Sequence, residues 1–159
     1  MEIDQKKLHI RPALIGEWEP AMELAWRTFL KFEAKDYTRE GVRNFEDFIT
    51  DPNLERMFVV GKYRLFCAFY EEKMVGIISL REKSHISLLF VDARYHCNGI
   101  GRQLVARAKY YLQTELGESG MTVNAAPYAV EFYHKMGFVD LKPQETRDGI
   151  TFTSMIYRF

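Results

Sequence analysis

From Ile86 to Leu112 a very apolar run passes through the loop His96-Cys97-Asn98-Gly99-Ile100-Gly101 into a long helical pattern, and this stretch restricts the fold more than any other. In its second half Leu104, Val105, Ala108, Tyr111 and Leu112 recur at helical spacing as a buried face, with Arg102, Gln103, Arg107, Lys109 and Gln113 toward solvent. A strand entering a helix through glycines puts the helix N-terminus at the loop. Such a terminus carries unpaired backbone N–H groups and a partial positive charge, and a residue without Cβ lets an anion reach them. Gly99 and Gly101 either serve that approach or merely turn the strand into the helix, and spacing alone leaves both readings open. Two other phosphate loops are excluded. No Gly-x-x-x-x-Gly-Lys-Ser/Thr occurs, and Leu104 stands where a dinucleotide fingerprint needs its third glycine or alanine.

The rest of the chain supplies a sheet for that helix. Leu8 to Arg11 predicts a short strand, and Trp18, Met22, Ala25, Trp26, Phe29 and Leu30 predict a first helix. Thr38 is the N-cap expected for a second helix with Val42, Phe45 and Ile49 on one face, ended by Asp51-Pro52. Two helices are therefore expected before the sheet. Leu65 to Tyr70, Met74 to Leu80 and His85 to Val91 are apolar runs joined by Glu71-Glu72-Lys73 and Glu82-Lys83-Ser84, which predicts an antiparallel three-strand meander. A helix from about Ile100 to Leu116, a strand at Met121 to Asn124, a helix from Tyr128 to Met136 capped by Gly137, and a strand from Thr151 to Tyr157 complete the order. With no repeat or linker, 159 residues that are 47% apolar read as one α/β domain over 1–159.

Twenty-two basic residues balance twenty-two acidic ones, so no global field draws the chain to nucleic acid or to an anionic membrane. Cys67 and Cys97 suggest neither a disulfide framework nor a metal cluster, and a reducing cytoplasm fits them. No signal-like or membrane-spanning stretch is present, and a soluble protein without a metal is expected.

The segment Val91-Asp92-Ala93-Arg94-Tyr95-His96-Cys97-Asn98-Gly99-Ile100-Gly101-Arg102-Gln103-Leu104 resembles the Gcn5-related N-acetyltransferases, in which a strand leads to a Gln/Arg-x-x-Gly-x-Gly/Ala loop and a helix. A second block, Asn124-Ala125-Ala126-Pro127-Tyr128-Ala129-Val130-Glu131-Phe132-Tyr133-His134-Lys135-Met136-Gly137-Phe138, is similar to the same family's Asn-x-x-x-x-Ala-x-x-Phe-Tyr-x-x-x-Gly-Phe. The resemblance covers about residues 73 to 140. It implies a mixed, mostly antiparallel sheet flanked by helices, with strands splayed at the cofactor site, and acetyl-CoA as co-substrate. By it the backbone of Leu89, Phe90 and Val91 pairs with the pantetheine arm. The amides of Cys97, Asn98, Gly99, Ile100, Gly101 and Arg102 hold the pyrophosphate, Asn124 positions the arm from across the splay, and Tyr133 points at the CoA sulfur.

Two departures stand out. His96 replaces the usual Gln or Arg, and is either a phosphate donor or an exposed loop histidine; Cys97 beside it is an oxidation-sensitive thiol or a bystander. The strand His85-Ile86-Ser87-Leu88-Leu89-Phe90-Val91 also lacks the glutamate that serves many members as general base. A base is needed because an amine of pKa near 10.4 is neutral in only about one molecule in 2,500 at pH 7, a deficit of roughly 4.6 kcal/mol. His85, with an ordinary pKa near 6.5, is the substitute at neutral pH or else caps a strand end. Glu33, Asp36 and a water chain are further candidates. Tyr133 either protonates the departing thiolate or is a core aromatic, and a strand N–H near Val91 would polarise the carbonyl.

By the same resemblance Phe29 to Phe45 walls the acceptor site, although that segment also reads as an ordinary amphipathic helix end. Three classes remain: a small-molecule amine acetyltransferase, a protein acetyltransferase acting on a lysine or N-terminus, and a non-catalytic acyl-CoA-binding module. Retention of Tyr133 weighs against the last. Edge strands would permit a homodimer, which the sequence does not decide.

Overall fold

The computed structural model describes all residues from Met1 to Phe159. Strand β1 (Leu8–Pro12) leads to helix α1 (Trp18–Phe32), α2 (Arg39–Ile49) and α3 (Pro52–Val59). The meander β2 (Arg64–Tyr70), β3 (Lys73–Arg81) and β4 (His85–Val91) follows, then α4 (Ile100–Thr114), β5 (Gly120–Ala125) and α5 (Val130–Met136). Strands β6 (Val139–Asp140), β7 (Glu145–Arg147) and β8 (Ile150–Arg158) close the chain. The sheet order is β1-β2-β3-β4-β5-β8-β6, with β7 also paired to β8; only the β4–β5 contact is parallel.

The meander and α4 form where the apolar patterns place them. The turn Glu71-Glu72 and the turn at Glu82-Lys83 take positive φ, 50° and 73° and then 49° and 69°, so short hairpins are closed here without glycine. The expectation of two helices before the sheet is corrected to three. Asp51-Pro52 starts a helix as well as stopping one: the Asp51 carboxylate accepts from the Asn53 N–H and Pro52 takes the first helical position, where its missing N–H costs nothing. The short strands β6 and β7 were below the length at which alternation can be read.

Two apolar cores sandwich the sheet. On one face α4 and α5 bury Leu104, Leu112 and Tyr133, with Phe138 just after α5, against Phe66, Ile78 and Ile86. On the other, α1 lays Trp18, Leu24, Ala25 and Phe29 on Leu65, Ile77, Leu88 and Phe90, with Ile49 and Leu54 from α2 and α3.

The feature that positions the site is the parting of β4 from β5. They pair only at His85–Thr122 and Ile86–Val123, after which the strands diverge. The Asp92 N–H donates to the Val75 carbonyl at 2.8 Å, which fixes the phase of the β3–β4 ladder. Leu88 and Phe90 therefore exchange hydrogen bonds with β3, and Leu89 and Val91 turn their peptide groups toward the gap.

Candidate active site

Two cavities, of about 410 and 480 Å³, meet at this gap. Glu33, Leu89, Phe90, Ala129 and Tyr133 line both, so the junction is built from the end of α1, the open part of β4 and the start of α5. The larger cavity continues along Val91, His96, Cys97, Gly99, Gly101 and Arg102. The smaller runs between α2 and the β7–β8 hairpin, past Phe45, Phe48, Arg81, Asn124, Asp148 and Phe152.

At the larger cavity, Gly99 caps α4 with φ 77° and no side-chain cap, and the first turn of the helix carries no acidic residue. Its first amides are left without partners in the chain, with the helix dipole behind them and Arg102 exposed beside them. That donor set fits a pyrophosphate, and the free peptide groups of Leu89, with the Val91 N–H, fit an amide-containing arm laid along the gap. Gly101 has a second duty: a Cβ there would stand 3.3 Å from the Phe132 ring.

His96 and Asn98 are braced inward. The His96 imidazole donates from Nε2 to the Val91 carbonyl at 2.7 Å and stacks on Phe32 at 4.9 Å, and Phe32 in turn stacks on Tyr128 at 5.1 Å. The Asn98 side-chain amide lies against the carbonyls of Met1, Tyr95 and His96, and its oxygen accepts from the Ile3 N–H. Gln5 completes the strap by donating to the Asn98 carbonyl at 3.0 Å. Cys97 is exposed and holds φ 65°, a left-handed conformation that this tight loop imposes.

Tyr133 is 4% exposed and packs edge-on against Phe132 and Phe138, at 5.2 and 5.1 Å. Burial, with the Glu33 carboxylate adding to it, pushes its phenol well above the ordinary value. Glu33 itself is pushed up to about 7 by burial and by neighbouring Asp36. It is thus a carboxyl poised between its two forms at neutral pH.

The structure brings Leu89, Phe90, Val91, His96, Cys97, Gly99, Ile100, Gly101, Arg102 and Tyr133 to one continuous space, whereas Asn98 lines neither cavity and turns its side chain to the N-terminal segment. Asn124 lines the smaller cavity, where its Oδ1 accepts from the Ser154 hydroxyl at 3.1 Å. His85 lines neither cavity. It sits at the strand start with Nδ1 2.8 Å from the Thr122 hydroxyl, and burial, with Arg81 nearby, lowers its pKa to about 4. The sequence carried no signal for Tyr128 or Arg81 as site residues. It offered Phe32 only within the Phe29 to Phe45 segment and Glu33 only as one of two candidate carboxylates there.

A family model described as an acetyltransferase (GNAT) domain matches residues 33–159. Among solved structures, a Gcn5-related N-acetyltransferase from Rhodopseudomonas palustris is 23% identical, with a TM-score of 0.80 and 95% of each chain covered. The PaiA N-acetyltransferase from Thermoplasma acidophilum, in complex with coenzyme A, is 20% identical with a TM-score of 0.79, covering 96% of this chain and 99% of that one. Spermidine N-acetyltransferase from Vibrio cholerae, in complex with CoA and spermine, is 17% identical with a TM-score of 0.67 and 96% of each chain covered. At these identities the likeness is one of fold. No curated protein matches the chain.

Proposed function

Since the chain belongs to the Gcn5-related (GNAT) acetyltransferase family and is an acetyl-CoA-dependent acyltransferase, we propose that it acetylates a primary amine of a small molecule by direct attack at the junction of the two cavities. The single observation that carries this reading is that Glu33 and Tyr133 line both cavities at the place where β4 and β5 part.

Acetyl-CoA, when bound, supplies a thioester carbonyl for the amine to attack and a thiolate to leave. The Ile100, Gly101 and Arg102 amides at the head of α4 would hold its pyrophosphate, and the peptide groups of Leu89 would hold its arm. Val91 N–H, preorganised in the gap, is the donor for the oxygen that gains charge. Glu33 takes one proton from the arriving ammonium, and the second proton that the nitrogen sheds after attack restores the one Tyr133 gives to the departing sulfur. With its pKa at about 7 Glu33 is about half ionised at neutral pH and its affinity for the proton is higher than that of an ordinary carboxylate. Tyr133 keeps its proton across the working pH range, so its O–H is always available to donate to the departing sulfur.

Glu33 takes the role of base in preference to His85. A buried imidazole whose pKa has fallen to about 4 is a weak proton acceptor, and it faces Thr122 instead of the junction. A small acceptor is favoured over a protein because Thr38 and Gly149 clasp α2 to the β7–β8 hairpin across the smaller cavity: the Thr38 N–H donates to the Gly149 carbonyl at 3.0 Å. An extended peptide would have to displace that clasp.

Titration calorimetry with acetyl-CoA and with CoA tests the cofactor half, and micromolar binding is expected. A screen of primary amines for acetyl transfer tests the other half. A protein that binds neither thioester nor thiol would not be working as a transferase at this site.

A further inference from the structure

Arg81 ends β3 on the face that carries Ile77 and Ser79, which is the α1 side of the sheet, and lines the smaller cavity at the end away from the loop. Its Nε is buried without a hydrogen-bond partner. The other cation that lines this cavity, Arg147, already has a carboxylate, donating to Glu145 at 2.9 Å. Asp148 lines the cavity too, but it is exposed and makes no ion pair with Arg81. A guanidinium with no partner in the chain, whose Nε is buried beside aromatic side chains, suits an anion from outside, since a desolvated donor without an acceptor is costly.

The distance along the strands limits what that anion is attached to. Leu89, at the junction, pairs with Ile78, and Arg81 lies three residues further along β3, about 10 Å of strand. The guanidinium's own reach covers part of this, and Phe45, Phe48 and Phe90 wall the path between. A polyamine would bring its second ammonium against Arg81. An α-amino acid would hold its two charges too close together to serve both ends.

We propose that the acceptor is a primary amine bearing a carboxylate several bonds away, an ω-amino acid with an apolar middle, whose carboxylate pairs with Arg81 while its amine meets Glu33. This rests on the transferase reading above.

The test is calorimetric, at saturating CoA, with three probes that share a five-carbon chain: 5-aminopentanoate, pentylamine and 1,5-diaminopentane. The expected result is 5-aminopentanoate binding at least about ten-fold tighter than pentylamine, the size of one charge-assisted hydrogen bond, with the diamine weakest. Arg81→Met should bring 5-aminopentanoate down to the pentylamine level and leave pentylamine unchanged, and Arg81→Lys should retain part of the preference. If either variant fails to fold, the ranking on the native protein still decides. The proposal is overturned if the diamine binds as well as the amino acid, if no probe binds, or if the preference survives in Arg81→Met. Absence of CoA binding in the preceding titration would instead overturn the transferase reading, so the two failures are distinct.

Discussion

The His96 imidazole closes the Val91 carbonyl, with Nε2 2.7 Å from the oxygen, and so spends one of the peptide groups that the parting of β4 and β5 leaves open. The ring is held in place by Phe32 at 4.9 Å. His96 therefore shapes the loop from within, and the proposed phosphate donors are the backbone amides at the head of α4. His96→Ala should raise the KM for acetyl-CoA about three- to ten-fold through a looser loop and leave kcat within about two-fold. A kcat collapse at unchanged KM would place His96 in the chemistry instead.

As the proposed base, Glu33 would set the pH dependence. Because its pKa is about 7, kcat/KM should rise with pH through a limb near 7, and Glu33→Gln should abolish that limb and lower kcat/KM about 10²- to 10⁴-fold. The stability effect has the opposite sign. A carboxyl whose folded pKa exceeds its unfolded one binds its proton more tightly when folded, so its contribution is fully present below about pH 4.5 and is lost as pH rises through about 7. At pH 8 Glu33→Gln should consequently be more stable than the native protein, by about 1 kcal/mol after allowance for solvent screening of a half-buried group. Thermal melts at pH 5 and pH 8 check it.

His85 provides the control. Its imidazole, lowered to about 4, should stay neutral in a proton NMR titration from pH 8 down to pH 5, and His85→Gln should leave the limb near pH 7 in place. Loss of that limb in His85→Gln would return the base to the strand.

Tyr133→Phe separates chemistry from packing. The hydroxyl has no hydrogen-bond partner in the chain, while the ring's contacts with Phe132 and Phe138 survive the substitution. The expected outcome is a kcat reduced about 10²-fold or more, acetyl-CoA affinity within about two-fold, and stability within about 1 kcal/mol of native. Unchanged turnover would make Tyr133 a core aromatic and nothing more.

Gly41 tests the clasp over the smaller cavity. A Cβ on Gly41 would collide with the Gly149 carbonyl, backbone that has little freedom to move while Thr38 holds it. Gly41→Ala should push the β7–β8 hairpin away from α2 and raise the KM for the amine, with acetyl-CoA binding untouched because the other cavity shares no residue of the hairpin.

Sequence by itself determined the local elements and the family. The period of Leu104, Val105, Ala108, Tyr111 and Leu112 fixed α4, the apolar runs fixed the meander, and Gly99, at φ 77°, and Gly137, at φ 104°, fall where only a glycine sits easily. These are short-range matters, in which each residue answers to neighbours a few positions away. Asp51-Pro52 shows the limit of that reading, because the same pair ends one helix and begins another, through the Asp51 cap and Pro52 at the first position, and Leu54 then packs into the core. Tertiary structure alone decided the site. Glu33 and Tyr133 stand a hundred positions apart in the chain and meet because two strands part after a pair of shared rungs. Their pKa values, like that of His85, belong to no residue type; they follow from how much water and which charges the fold leaves around each group.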